Sequence, residues 1–171
     1  MNGLTPPEGA TLPERHPSFV TGEKIGPHFT RCFGCGPDHG TGLHISPVIG
    51  EGLELTAEFT VGEEHQGAPG LAHGGVLAAA LDESLGMVAT MLHKPYVTGR
   101  LEVDYRQPVP QSTTVHLRAW CEGASGRKLF LAAEARLGGP DGPVALRSKA
   151  LFVEVGVEHF RDRTTDHEVN P

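Results

Sequence analysis

Basic residues are too few in this chain to suit a general nucleic-acid binder. Lys and Arg number 14 against 21 Asp and Glu, a formal net charge of -7, whereas neutralising a run of phosphates takes clustered cations. Cysteine is scarce as well: Cys32, Cys35 and Cys121 are the only three, an odd, low number that does not make a disulfide framework. Uninterrupted apolar runs are missing. The longest apolar-rich stretch, 74–92, carries Asp82 and Glu83 at its centre, and central acids are costly in lipid, so no membrane span is expected. The opening MNGLTPPEGATLPERHP has neither a basic n-region nor an apolar h-region, so no secretory signal is read there. A soluble, reducing, cytoplasmic setting is the expectation. What remains is globular material of 38% hydrophobic and 20% charged residues over 171 positions, enough to bury a core without disulfides or metal staples.

Three stretches differ in texture. Residues 1–30 hold Pro6, Pro7, Pro13, Pro17 and Pro27 without a sustained period and read as an irregular N-terminal segment, draped over the domain or in part disordered. Residues 31–155 form the domain, and the polar run 156–171 reads as a fraying tail. Inside the domain, LHISPVI (43–49) and LELTAEFTV (53–61) flank Gly50-Glu51-Gly52 and predict a hairpin. The Gly/Pro-rich HQGAPGLAHGG (65–75) leads into VLAAALDESLGMVATML (76–92). That run has no proline, is rich in Ala, Leu and Met, and is too long for a strand, so a helix is predicted over 74–92. It is apolar on nearly every face and so belongs at the centre of the core. His93-Lys94-Pro95 stops it.

Four strand-like runs follow: 97–108, 113–123, 128–138 and 144–155. Their turns are Pro108-Val109-Pro110, Gly123-Ala124-Ser125-Gly126 and 138–142. In the second run Thr113, Val115, Leu117, Ala119 and Cys121 share one face, and Thr114, His116, Arg118, Trp120 and Glu122 the other. The order predicts an α+β domain, an antiparallel sheet wrapped around one long central helix, because that arrangement buries the apolar surfaces of both.

Chemistry concentrates in a few places. Asp82 and Glu83 lie in the middle of the apolar helix; burying a carboxylate without a partner is expensive, so both are functional candidates, and helical spacing does not choose between them. Gly74 and Gly75 stand at the helix start, where backbone N–H groups lack intrahelical acceptors; the alternative is that they only permit tight packing. Cys32-x2-Cys35 with His39 and His44 has ligand types that suit zinc, but the spacing is short and no second CxxC exists. Arg127 and Lys128 stand in a turn, with Arg100 and Arg106 on the preceding strand.

HQGAPGLAHGGVLAAALDE (65–83), TGRLEVDYRQPVP (98–110) and CFGCG (32–36) together resemble hot-dog-fold thioesterases of the phenylacetyl-CoA thioesterase type, over about residues 30–155. The resemblance implies hydrolysis of an acyl-CoA thioester to the free acid and coenzyme A. The family's carboxylate falls nine residues after the histidine, which selects Asp82 over Glu83, as general base for water or as nucleophile. Gly74 and Gly75 would supply oxyanion-hole amides, Thr98 would help place the water, and Gln66 would donate to the carbonyl. His73 is mostly structural in relatives. Arg127, Lys128 and Arg100 are the candidates for the phosphates of coenzyme A. No metal and no cofactor beyond the thioester substrate is implied: relatives carry Asn at the position of His39, which makes the cysteines a packed turn.

Paired subunits are implied too, as a homodimer or homotetramer. Gly75 and Asp82 share a helix face but lie about 10 Å apart along its axis, so a site shared between two chains is expected. Two other functions stay open: a non-catalytic acyl-CoA or small-ligand binding protein, and a hot-dog hydratase or dehydratase in which His73 would act. Gly86, Met87, Thr90 and Met91 are candidate walls of an acyl pocket, and Tyr105 and Trp120 are expected to serve packing or subunit contacts.

Overall fold

The proline-free run folds as the expected helix. In the computed structural model, which describes residues 4–161, α1 spans Gly74–Thr90. It ends two residues earlier than expected, because the last amides tighten onto carbonyls three residues back: Met91 to Val88 at 3.2 Å, Leu92 to Ala89 at 3.0 Å and His93 to Thr90 at 2.9 Å. His93 then takes a left-handed φ of 54°, and Lys94 reaches Glu154 at 3.1 Å rather than the helix end. Leu77, Leu81, Leu85, Met87 and Val88 are buried along α1. Ser84 is buried with them, its hydroxyl donating to the Ala80 carbonyl at 2.9 Å. Met87 and Met91 are fully buried in the core.

Around this helix lies a six-stranded antiparallel sheet: β1 (Val48–Ile49), β2 (Glu54–Thr60), β5 (Tyr96–Tyr105), β6 (Thr114–Ser125), β7 (Lys128–Leu137) and β8 (Val144–Glu154). A separate small hairpin, β3 (Gln66–Ala68) and β4 (Leu71–Ala72), precedes α1. The spatial order is β1-β2-β6-β7-β8-β5. The four late strands are antiparallel as predicted, but they are not a simple meander: β6 pairs with β2 and β7, while β5 crosses to the far edge and, among the described residues, pairs only with β8. Val115, Leu117, Ala119 and Cys121 are buried on one face of β6, as their alternation requires.

Two boundaries shift for identifiable reasons. The first hairpin keeps only Val48 and Ile49 on its leading arm, because Leu43 and Ile45 donate instead to the Phe33 and Gly34 carbonyls, at 2.8 and 2.9 Å, and Pro47 has no N–H. β6 runs on to Ser125, so the turn to β7 is Gly126-Arg127, with Gly126 at a φ of 58°.

The N-terminal segment is draped over the domain from residue 4 onward. Thr11 and Ala124 exchange backbone hydrogen bonds of 3.1 and 2.7 Å, the His16 amide donates to Met91 at 2.9 Å, and that of Ile25 to Pro47 at 3.0 Å. Leu4 and Ile25 are buried. Of the polar tail, Glu158–Arg161 make one helical turn, α2; residues 162–171 lie outside the described residues. No described helix is long and apolar enough to cross a membrane.

Candidate active site

β5 carries the residues that meet α1, and a bulge decides which they are. Strict alternation would put Thr98 and Leu101 on opposite faces. The β5–β8 register shifts between Thr98 and Arg100, so Gly99 is an extra residue and the parity changes across it. Tyr96 before the bulge, and Leu101 and Val103 after it, all pack against the core. On the same side Thr98 Oγ1 donates to Asp82 Oδ1 at 3.0 Å, and the Tyr105 hydroxyl donates to the Gly74 carbonyl at 2.9 Å. Bulges re-aim side chains in this way. A Cβ on Gly99 would stand 3.2 Å from Val153 Cγ2 and 3.3 Å from the Leu151 carbonyl, so the bulge has little room for a side chain.

Asp82 is half-buried at the middle of α1. Burial pushes its carboxyl above the ordinary 3.8, the Thr98 hydroxyl pulls it partly back, and the neighbouring Glu83 charge pushes it up again. Glu83 itself turns to the CxxC turn at the start of the domain, where Cys32 Sγ lies 3.6 Å from Oε2. Burial first, and Glu83 second, push the Cys35 thiol above its usual range.

At the helix start His73 is the N-cap, with extended backbone (φ -70°, ψ 132°). Its ring Nδ1 accepts from the Gly75 amide at 2.9 Å. The peptide joining Gly74 to Gly75 is therefore held at both ends, by His73 on its N–H and by Tyr105 on its carbonyl. Of the two amides expected to face an oxyanion, that of Gly75 is engaged by the cap. That of Gly74, at the first helical position, has no intrahelical acceptor. Gly74 and Asp82 lie about 12 Å apart along the axis.

The other expected residues are not gathered at Asp82. Gln66 braces its own hairpin, its Oε1 accepting from the Gly70 amide at 2.8 Å and its Nε2 donating to the Glu63 carbonyl at 3.2 Å. Arg100, just past the bulge, pairs with Glu102 at 2.6 Å. Arg127 and Lys128 sit at the exposed β6–β7 tip. His44 Nδ1 bonds the Gly36 carbonyl at 2.9 Å. Trp120 packs under the Arg118 guanidinium, 5.0 Å from its ring centre.

Two histidines carry more than the sequence suggested. Buried His65 accepts from the Gly62 amide on Nδ1 at 3.0 Å, and its carbonyl accepts from the His73 amide at 2.8 Å, which steadies the entry to α1. His28 lies against Glu83, 3.6 Å away. Nothing in their spacing along the chain announces either contact.

One long helix held in a single antiparallel sheet, entered through a glycine-rich turn, defines the hot-dog fold. A family model described as Thioesterase superfamily matches residues 69–144, from the β3–β4 turn to the start of β8. The acyl-coenzyme A thioesterase THEM4 of Xenopus laevis is 32% identical over 97 residues, which are 57% of this chain and 43% of that protein. The match thus spans less than half the length of that curated relative. Among solved structures, protein RHA08564, a thioesterase superfamily protein, superposes with a TM-score of 0.67 at 27% identity, covering 72% of this chain and 60% of the other. The E. coli PaaI protein from the phenylacetic acid degradation operon shares the fold, with a TM-score of 0.61 at 14% identity over 67% of this chain and 81% of the other. The chain thus has the hot-dog fold, and its residues 69–144 are similar to the thioesterase superfamily.

Proposed function

We propose that the chain hydrolyses an acyl-CoA thioester to the free acid and coenzyme A, with Asp82 as the general base. The observation that carries this reading is the 3.0 Å bond from Thr98 to Asp82, in a setting that raises the carboxyl above its ordinary range. Thr98 donates to Oδ1 and fixes the plane of the carboxylate, leaving Oδ2 for a water. A base of raised pKa is better matched to neutral pH than an ordinary aspartate. Asp82 takes a proton from water as the oxygen attacks the thioester carbon. The carbonyl oxygen gains negative charge, which a helix-start amide stabilises. Collapse then expels the coenzyme A sulfur, and the proton held by Asp82 passes to it. The family match and the acyl-CoA activity named for THEM4 support the substrate class. Arg127 and Lys128, exposed at the β6–β7 tip, are the cations offered to the coenzyme A phosphates.

The amide belongs to a second copy in this reading. About 12 Å of helix axis separates Gly74 from Asp82 within one chain. Among the described residues β5 has β8 on one side only, and an unpaired ten-residue edge is a template for another strand. A homodimer built there would set two helices antiparallel and bring Gly74 of each chain towards Asp82 of the other. Incubation with a panel of short, medium, long and aryl acyl-CoAs, with thiol release read colorimetrically, tests the activity. Release well above that of Asp82→Asn is expected; a panel giving only the rate of that variant overturns the proposal.

A further inference from the structure

The CxxC motif is joined in space by two residues that the sequence did not associate with it. One donor atom each from His28, Cys32, Cys35 and Glu83 lies within 4.8 Å of all the others. We propose that these four side chains bind one zinc ion, which ties the N-terminal segment to the central helix beside Asp82.

The donor set is two sulfurs, one imidazole nitrogen and one carboxylate oxygen, all established zinc ligands, and the pair of thiolates selects against magnesium and calcium. Zinc bonds of about 2.0–2.3 Å in a tetrahedron put neighbouring donor atoms about 3.3–3.8 Å apart. The cluster needs to contract by only about 1 Å to meet that geometry.

The backbone is shaped to present the donors. Gly36 donates to the Cys32 carbonyl at 2.9 Å, and a Cβ on Gly36 would collide with the Cys32 backbone and the Thr30 carbonyl, so the turn is tight and its two sulfurs come close. Leu43 and Ile45 hold the Phe33 and Gly34 carbonyls from behind, at 2.8 and 2.9 Å. A Cβ on Gly34 would collide with the Glu83 carboxylate; the missing side chain is what lets Glu83 reach the sulfurs.

Glu83 supplies a separate argument. Its side chain is only 11% exposed, and Oε1 is buried without a hydrogen-bond partner among the described residues. His28 Nε2 stands 3.6 Å away, too far to bond. A buried carboxylate facing two thiols is costly by itself, and a dication between them compensates it. The His28 side chain is 46% exposed, which gives an ion its way in. The histidines that the linear spacing offered, His39 and His44, are used otherwise: His44 bonds Gly36, and His39 packs edge-on against Phe33 at 5.3 Å.

The test is metal content and cobalt spectroscopy on the full chain. The protein is purified under reductant in chelator-treated buffer, loaded with zinc or cobalt, and desalted. One metal ion per chain is expected, with the strong visible bands of tetrahedral cobalt and a thiolate charge-transfer band. Cys32→Ser, Glu83→Gln and His28→Ala should each weaken binding at least about tenfold, whereas His39→Ala and His44→Ala should not. Circular dichroism confirms that each variant is folded; His28, the most exposed ligand, gives the substitution least damaging to the core. Substoichiometric metal, cobalt spectra without a thiolate band, or loss of metal on His39→Ala or His44→Ala with retention in His28→Ala and Glu83→Gln, would each overturn the site.

Discussion

Asp82 and Glu83 are adjacent on α1 but serve different sides of it: Asp82 meets Thr98 of β5 at 3.0 Å, and Glu83 meets Cys32 of the CxxC turn at 3.6 Å. Successive side chains on a helix are turned by about 100°, so one residue of spacing is enough to separate two microenvironments. Asp82 has a hydroxyl donor and an edge strand before it, while Glu83 has two sulfurs and an imidazole.

That division predicts unequal effects on catalysis. Asp82→Asn should lower kcat at least about a hundredfold, the scale of a lost general base, and Glu83→Gln should lower it far less. The same change has an opposite effect on stability. The Asp82 carboxyl is held above its ordinary 3.8 in the folded chain, so the native state binds the proton more tightly than the unfolded state does. Stability is then lost as pH rises through the window above 3.8, and the loss persists at neutral pH. Asparagine keeps an acceptor for Thr98 and carries no charge. Thermal melts should give Asp82→Asn a Tm at neutral pH at or above that of wild type, with the difference shrinking at acid pH; a clearly lower Tm at neutral pH would count against the burial argument.

The Thr98 hydroxyl is the one influence that lowers Asp82. Thr98→Val keeps the shape of the side chain and removes the donor, so the Asp82 carboxyl should rise further. The acid limb of kcat/KM should then move to higher pH than in wild type, beyond any fall in the plateau. A limb that stays in place would show that Thr98 does not set the state of the base.

Much of this was legible in the chain because the strongest signals are periodic or local. The proline-free run with its glycine entry marks α1 to within two residues at its end, and the alternation of Val115, Leu117, Ala119 and Cys121 marks the buried face of β6. The pairing of β5 with β8 was not legible, because no local pattern states which edge a strand joins. Nor was the bulge at Gly99: a single glycine in a strand is ambiguous until the partner strand supplies the register. The association of Glu83 with Cys32 spans 51 residues, and the CxxC motif instead suggested the nearby His39 and His44. Short linear spacing finds donors from one turn; it cannot find a donor delivered by a helix from elsewhere in the fold.

Tyr105 pins the peptide whose other end is capped by His73. Tyr105→Phe removes one hydrogen bond, worth about 0.5–1.5 kcal/mol, from the carbonyl of Gly74. If helix-start amides stabilise the oxyanion, kcat should fall by about 3- to 10-fold with KM nearly unchanged. Steady-state kinetics separate this from a binding role, which would raise KM at constant kcat.

The strongest test of a site shared between subunits is complementation. Asp82→Asn removes the base, and Gly74→Pro removes the amide at the first helical position. The backbone admits that proline: it is favoured at a helix start, and the preceding His73 already has the extended φ of -70° and ψ of 132° that a following proline requires. A Cβ at Gly74 would lie 3.4 Å from the Tyr105 ring, an ordinary contact. Each variant alone should be nearly inactive. Unfolded together in equal amounts and refolded, random pairing makes about half of the dimers hybrid. A hybrid holds one site with both defects and one with neither, so activity should return to about a quarter of wild type. Recovery in proportion to the hybrids counted by native mass spectrometry would place Gly74 of one chain with Asp82 of the other; hybrids without recovery would mean that each chain builds its own site.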